Sequence, residues 1–319
     1  MFEIDYVLDI DYIAKVAANV AIRYFKELLR GVSVWGQILD KDNFDPEFDT
    51  INISIVLSEV PVDLYVLLSN IEFDYQHILK LRINVNIFDE IEFEEKYRKG
   101  FPLNVLPVIK GHYAHGEDFF KKLKDQKYTC TKDAIDSTLE QAFVSFGLGL
   151  NDVLRKDIDI ALEEFYNSAI LASIAIIQRI DNMIPATFLE IRSYFEKGQY
   201  EVAIMKLYSQ VVDNIRMGRR DISTRYKFIR DTKMSPGEIL KHVLMDDYLH
   251  EIIVSTYSLL RESWRIIKRK NISSLDKLMK IIFEKIKDEF IASIEITGKG
   301  MYPVLRIRLY GDIWSCELN

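Results

Sequence analysis

The stretch Asp49-Thr50-Ile51-Asn52-Ile53-Ser54-Ile55-Val56 alternates polar and apolar residues with a period of two, which is typical of a half-buried β-strand. A shorter strand is predicted before it at Val32-Ser33-Val34-Trp35, and this strand ends at Gly36-Gln37. The same alternation returns at Ile83-Asn84-Val85-Asn86-Ile87-Phe88. These three segments predict a small sheet in the first part of the chain.

Helices are predicted around these strands. Apolar residues at helical spacing predict a helix over residues 9–30, with Gly31 as its stop. Further helices are predicted after Pro61 and near residues 75–81, and one begins near Glu117. The apolar run Val105–Tyr113 is predicted to be a strand. The first 125 residues therefore predict an α+β fold, in which helices cover a small mixed sheet.

The rest of the chain is predicted to be helical from Asp133 to Phe290. The stretch Asn151–Ile180 predicts one central bundle helix, and a later helix over residues 200–217 is predicted to stop at Gly218. Period two returns over residues 292–297 and 304–310, which predicts a C-terminal β-hairpin. The predicted domains are residues 1–128, a helical bundle over 129–290, and a hairpin over 291–319 packed on the rest.

The order helix, strand, Gly-containing turn, loop, alternating strand, helix, alternating strand resembles the minimal, kanamycin-type nucleotidyltransferase superfamily. The resemblance covers residues 10–125 and implies the fold of that family. Its members end a strand in Gly-Ser, carry Asp-x-Asp on the next strand, and carry a third Asp on a neighbouring strand. Alternate residues on a strand point the same way, so the Asp pair shares the metal ions that clamp a triphosphate.

This sequence departs from that pattern at every carboxylate. Gly36-Gln37 stands at the Gly-Ser position, and Thr50 and Asn52 stand at the Asp pair, or Asn52 and Ser54 after a two-residue slip. Asn86 stands at the third Asp. These side chains are neutral, whereas a two-metal site needs negative charge to hold Mg²⁺. The resemblance then implies no catalytic residue and no metal, with a nucleotide pocket near the five residues Gly36, Gln37, Thr50, Asn52 and Asn86.

The helical part resembles the HEPN-like domains that are often joined to nucleotidyltransferases. The segments that carry this resemblance are Ala161–Ala169 and Phe195–Ala203. Ribonuclease versions of that domain carry an Arg followed, after four to six residues, by a His. Neither His242 nor His250 has an Arg at that spacing before it, so RNA cleavage is not predicted.

A basic segment between two predicted helices is the strongest positive feature of the chain. Basic residues neutralise phosphates and aromatic rings stack on unpaired bases, so the segment is a candidate for nucleic-acid contact, with Phe228 as a further interleaved ring. Much of it is predicted to be an exposed loop. The candidate residues are Arg216, Arg219, Arg220, Arg225, Tyr226, Lys227, Arg230 and Lys233. The alternative interpretation is a solvated charged face.

Composition bounds the remaining choices. The 319 residues are 49% hydrophobic and 29% charged, which is typical of a globular protein. The net charge of −7 is the same as that of residues 1–130 alone, so the first third would repel nucleic acid. Cys130 and Cys316 cannot form a disulfide framework. No secretory signal is visible, and the longest apolar stretch, Ala169–Ile177, is about half of a bilayer span. A cytoplasmic protein is expected.

Three functions follow as hypotheses. The first is a pseudoenzyme, a degenerate nucleotidyltransferase that acts as a nucleotide, nucleic-acid or protein binding module. The second is an active enzyme in which Asp45, Glu47 and Asp49 rebuild the metal site, and Mg²⁺ is a cofactor only in this case. The third is a structural protein that assembles as a homo-oligomer. A metal cluster at His112 and His115 is disfavoured, because this piece straddles a predicted strand end. No membrane partner is expected.

Overall fold

The computed structural model describes residues 9–198, 200–230, 232–268, 273–285, 291–297, 304–309 and 315–318. The chain divides into two compact units. Unit 1 comprises Met1–Ala134 and Asn182–Glu190, and unit 2 comprises Ile135–Asp181 and Ile191–Asn319. The boundaries predicted at residues 128 and 290 remain predictions.

Unit 1 is built on a four-stranded mixed sheet. Its strands are β1 (Leu29–Trp35), β2 (Ile51–Leu57), β3 (Ile83–Asp89) and β4 (His112–His115). The strand order is β3-β2-β1-β4. Strand β2 pairs antiparallel with β1 and parallel with β3, while β4 pairs antiparallel with β1. The α+β class predicted for the first part of the chain is confirmed.

Five helices surround this sheet. They are α1 (Ile10–Phe25), α2 (Leu64–Leu79), α3 (Glu90–Arg98), α4 (Pro102–Ile109) and α5 (Glu117–Lys124). The odd-numbered positions of β2, Ile51, Ile53, Ile55 and Leu57, are buried and join one core with apolar residues of α1 and α2. Alternation along the strand turns the even-numbered positions to the opposite face. That opposite face carries the polar residues of the sheet.

The Gly31 end of the polar face is covered by aromatic residues. A Cβ atom at Gly31 would lie 2.7 Å from the Phe120 ring, so a glycine is needed for this approach. Tyr113 stacks on Phe120 with ring centroids 5.0 Å apart. Ser33 Oγ donates a hydrogen bond to the carbonyl of Pro107 in α4 at 2.8 Å. Helices α4 and α5 therefore cover the strands on this side up to Ser33.

Two predictions for unit 1 are wrong. Helix α1 ends at Phe25, and Gly31 lies inside β1 instead of stopping the helix. The apolar run Val105–Tyr113 is mostly the helix α4, followed by β4 from His112. A short apolar run has no distinguishing period, and Pro102 at the first helical turn favours a helix start that the run itself does not indicate.

Unit 2 is mainly helical. Its helices are α6 (Lys132–Leu154), α7 (Ile158–Asp181), α8 (Phe188–Lys197), α9 (Val202–Arg230), α10 (Pro236–Met245), α11 (Asp247–Lys268) and α12 (Ser273–Lys285). The first three residues of α6 and of α8 belong to unit 1. Helices α7, α9 and α11 pack against one another. The Phe146 ring contacts Phe165 and Tyr257, and Gly149 lets α6 approach Phe165 closely. The predicted helical bundle is confirmed for the described residues.

Helix α7 alone among the described helices is long and apolar enough to cross a membrane, and 67% of its most apolar window is buried inside the protein. Core helices of soluble proteins meet the same length and composition test.

Helix boundaries in unit 2 differ from the predictions at two places. The predicted helix Asn151–Ile180 is broken before Ile158, where Lys156 adopts a left-handed φ of 71°. Gly218 does not stop a helix, because α9 runs on to Arg230. One glycine costs a helix only about 1 kcal/mol, which the long buried face of α9 outweighs.

The C-terminal strands are β5 (Ile291–Thr297), β6 (Val304–Leu309) and β7 (Ser315–Leu318). They form an antiparallel sheet in the order β5-β6-β7. The residues that would connect β5 to β6, 298–303, lie outside the described residues, so the hairpin itself remains a prediction.

Candidate functional site

The predicted pocket lies where β1 ends. Strand β1 ends at Trp35, and Gly36 turns the chain with a φ of 101° into a short 3₁₀ turn over Gln37–Leu39. A Cβ atom at Gly36 would lie 2.7 Å from Asn52 Nδ2 and 3.8 Å from the carbonyl oxygen of Thr50. The structure therefore brings together Gly36, Thr50 and Asn52.

Amide side chains continue this site across β2 and β3. Strand pairing places Asn52 beside Asn84 and Ser54 beside Asn86. Asn84 Nδ2 donates a hydrogen bond to Asn52 Oδ1 at 3.1 Å. Asn84 is not among the site residues that the sequence predicts. The alternation Asn84-Val85-Asn86 indicates that Asn84 lies on the polar face of β3. Its place beside Asn52 depends on the register between β2 and β3, which the sequence alone does not give.

The side chain of Trp35 fills the next position of the same face. Its indole Nε1 donates a hydrogen bond to Ser54 Oγ at 2.9 Å. Ser54 is 0% exposed and Trp35 is 5% exposed, so the indole covers the hydroxyl. In the slipped alignment, Ser54 stands at the second catalytic Asp of the family. A metal ion or phosphate could reach this position only after displacement of the indole.

Two further amides at the site have unsatisfied donors. Gln37 Oε1 accepts a hydrogen bond from the backbone N–H of Phe188 at 3.3 Å. The Nε2 atom of Gln37 and the Nδ2 atom of Asn86 are buried, and neither has a hydrogen-bond partner among the described residues. A buried donor without a partner costs about 1–3 kcal/mol, which an acceptor on a ligand would recover.

The site does not fit a catalytic metal. The acids nearest in sequence are tied into their own loop, because Asp49 Oδ2 accepts the Asp45 N–H at 2.8 Å and Asp45 Oδ1 accepts the Glu47 N–H at 3.0 Å. Across the part of the chain that the structure describes, no group of three or more His, Cys, Asp or Glu side chains is placed to hold an ion. Neutral amides and hydroxyls remain, and they are weak competitors with water for Mg²⁺.

The two histidines weighed as metal ligands lie at the two ends of β4. His112 Nε2 lies 3.2 Å from Asp11 Oδ1, on helix α1. His115 is exposed and precedes Gly116, which has a left-handed φ of 67°.

The basic segment is helical from Arg216 to Arg230, so the predicted exposed loop is wrong over these residues. At 3.6 residues per turn, five of its cations fall within an arc of about 100° on α9. They are Arg216, Arg219, Arg220, Lys227 and Arg230. This arc faces the first turns of α7. Arg216 donates to Tyr166 Oη at 3.3 Å, and Arg230 lies 3.6 Å from Asp157. The cations are therefore partly neutralised within unit 2.

The remaining members of the segment divide by burial. Arg225 lies 3.7 Å from Asp246 and over the Tyr248 ring. Tyr226 is 6% exposed, and burial raises the pKa of its hydroxyl. A stacked base needs an open ring face, which the buried Tyr226 does not offer in this structure, so its predicted role as a stacking ring gains no support. Lys227 and Lys233 are exposed. The side chain of Phe228 lies outside the described residues.

Comparison with known proteins adds little. No protein-family model matches the chain, and no curated protein matches it significantly. Among solved structures, a nucleotidyltransferase-like protein from Exiguobacterium sibiricum 255-15 aligns over 94% of this chain and 99% of its own, with 10% sequence identity and a TM-score of 0.28. A TM-score at that level does not establish a common fold. The function therefore has to be argued from the site itself.

Proposed function

We propose that unit 1 is a catalytically degenerate nucleotidyltransferase-like module that binds a nucleotide without a catalytic metal. The observation that carries the proposal is the cluster of neutral amides on β2 and β3 beside the end of β1, in the region where the resemblance implies carboxylates. Asn52 and Asn84 are joined by a hydrogen bond, and Gly36 lies directly beside them. The element order of unit 1 is the one on which the resemblance to nucleotidyltransferases rests.

The chemistry of the site supports a ligand rich in hydrogen-bond acceptors. Gln37 and Asn86 present buried N–H groups without partners among the described residues, and Asn84 is exposed at the rim. Phosphate and base oxygens accept such bonds directly, without an intervening cation. Gly36 lets the Asn52 amide lie directly against its backbone, where a side chain would otherwise stand.

The helical unit completes the proposal. We propose that this unit is a HEPN-like domain, which its packed core of α7, α9 and α11 supports. The proposal also places the protein in the cytoplasm. The competing functions are an active transferase built on Asp45, Glu47 and Asp49, and a structural homo-oligomer.

A thermal-shift experiment tests the proposal. Each nucleoside triphosphate is added with and without Mg²⁺ or Mn²⁺, because a ligand that binds the native state raises the melting temperature by mass action. We expect a shift that does not need metal. We expect Asn84→Ala to abolish that shift, and Asn19→Ala, at an exposed position of α1, to keep it.

Two outcomes would contradict the proposal. A shift that requires metal, together with transfer of label from a triphosphate, would identify an active enzyme. The absence of any shift with all four triphosphates would exclude a nucleotide as the ligand.

A further inference from the structure

Helix α2 exposes a row of large apolar side chains. Tyr65 is 87% exposed, Val66 65% and Phe73 66%, and Val62 is fully exposed just before the helix. At 3.6 residues per turn, Tyr65, Val66 and Phe73 fall within an arc of about 100° on α2, and Val62 lies just before the helix, three positions before Tyr65. We call these four residues the α2 stripe. A contiguous apolar patch on a soluble protein marks an interaction surface more often than single exposed residues do.

The orientation of α2 is fixed by its other face. Ile71, Tyr75 and Leu79 are buried in the core of unit 1, and Tyr75 Oη donates a hydrogen bond to the carbonyl of Ala17 at 2.8 Å. Rotation of the helix to hide the α2 stripe would expose these side chains. The Phe73 ring is also held outward, because it stacks on His77 with centroids 5.9 Å apart and planes at 9°.

The charges that border the α2 stripe are mostly acidic. Glu59 and Asp63 are exposed at its N-terminal end, and Glu72 directly precedes Phe73. None of these three carboxylates forms an ion pair with a described residue. Asp74, by contrast, is bound by Arg23 and accepts from Tyr24 Oη at 2.6 Å. Lys80 lies two turns beyond Phe73, at the C-terminal end.

We propose that the α2 stripe docks an amphipathic helix of a partner protein, whose apolar face is bordered by Lys and Arg. The apolar row supplies the buried centre of such an interface, and the unpaired carboxylates supply its rim. A second copy of this chain fits less well, because its own stripe has the same mostly acidic border and supplies few cations to meet Glu59, Asp63 and Glu72. Like charges across an interface disfavour association.

The test uses a labelled synthetic peptide of about 18 residues, long enough for five helical turns, with Leu on one face and Lys elsewhere. Fluorescence anisotropy with the full chain measures its Kd. We expect Tyr65→Ser combined with Phe73→Ser to weaken binding about tenfold or more, as loss of central aromatic anchors does. We also expect Glu72→Lys to weaken it severalfold.

Matched controls separate docking from general attraction to an acidic protein. Ile91→Ser removes an apolar side chain of α3 that is 77% exposed, and Asp118→Lys makes the same charge change as Glu72→Lys at an exposed position of α5. Both controls are expected to keep the parent Kd. Circular dichroism melts confirm that all variants fold.

Four results would overturn the proposal. The first is that the peptide does not bind, and the second is that the stripe and control variants weaken its binding equally. The third is that a Leu/Glu peptide binds as tightly as the Leu/Lys peptide. The fourth is that the chain self-associates in sedimentation experiments and that Tyr65→Ser combined with Phe73→Ser abolishes this self-association. The last result would assign the α2 stripe to a second copy of the chain.

Discussion

At the residue scale, Gly36 holds a φ of 101° with Asn52 directly against it. A side chain there would be strained by its backbone and would collide with the Asn52 amide. We expect Gly36→Ala to lower the free energy of unfolding by about 2 kcal/mol. Chemical denaturation measures the change.

Gly218 is the matched control for that substitution. It lies inside α9 without a positive φ, and an added Cβ would meet only Ile222 Cδ1, at 3.7 Å. Gly218→Ala should therefore raise the free energy of unfolding by about 0.5–1 kcal/mol, because alanine favours the helix. If both substitutions changed stability in the same direction, the strain assigned to Gly36 would be wrong.

At the element scale, the last turn of α6 carries an unfavourable carboxylate. The pKa of Asp152 is raised to about 6, mainly by burial; Arg155 opposes the rise and Asp157 adds to it. A negative charge at a helix C-terminus also opposes the helix dipole. The folded chain therefore holds a proton that the unfolded chain releases between about pH 4 and pH 6, so this group lowers stability as the pH rises through that window.

Asp152→Asn removes the titration. After allowance for solvent screening of a half-buried carboxylate, we expect the variant to be about 1 kcal/mol more stable than the parent at pH 7. The difference should vanish towards pH 4. Denaturation at several pH values measures it, with Asp221→Asn at an exposed position of α9 as the control. A gain that stays constant from pH 4 to pH 7 would exclude the titration of Asp152 as its cause.

The strands that carry the site were predictable from sequence because their alternation is unbroken. Asn52 and Asn86 could be placed on the polar face from period two alone. Asn84 and the cover provided by Trp35 could not, since both depend on which residues become neighbours across strands.

The secondary-structure predictions failed where the local sequence pattern does not distinguish a helix from a strand or a loop. The apolar run that forms α4 reads equally well as a buried strand. Gly218 and the arginines around it suggest a loop locally, whereas α9 is held together by its buried face, which includes Ile215, Ile222 and Ile229. The secondary structure of such segments is determined by tertiary packing, which the local sequence does not reveal.

At the scale of the whole molecule, the charge distribution argues against nucleic acid as a strong partner. Residues 1–130 carry the entire net charge of −7. In unit 2, Arg225 and Arg230 lie beside acids, and Arg216 is bonded to Tyr166. Lys227 and Lys233 are the exposed members of the basic segment that form no ion pair with a described residue.

We therefore expect a single-stranded oligonucleotide to bind the chain only in the weak, non-specific range, with a Kd of about 10⁻⁴ M or weaker at physiological salt. Fluorescence anisotropy over a range of salt concentrations measures it. Micromolar binding that Lys227→Ala with Lys233→Ala abolishes would show that the basic segment is a nucleic-acid site after all.

The indole of Trp35 over Ser54 also limits which substitutions these two positions accept. An acid introduced at position 54 would bury its charge beneath a ring that offers one N–H, at a cost of several kcal/mol. Replacement of Trp35 first would leave a void in a closed part of the sheet. Either single change thus passes through a less stable protein, so Trp35 and Ser54 are expected to vary together, or not at all, among natural variants of this chain.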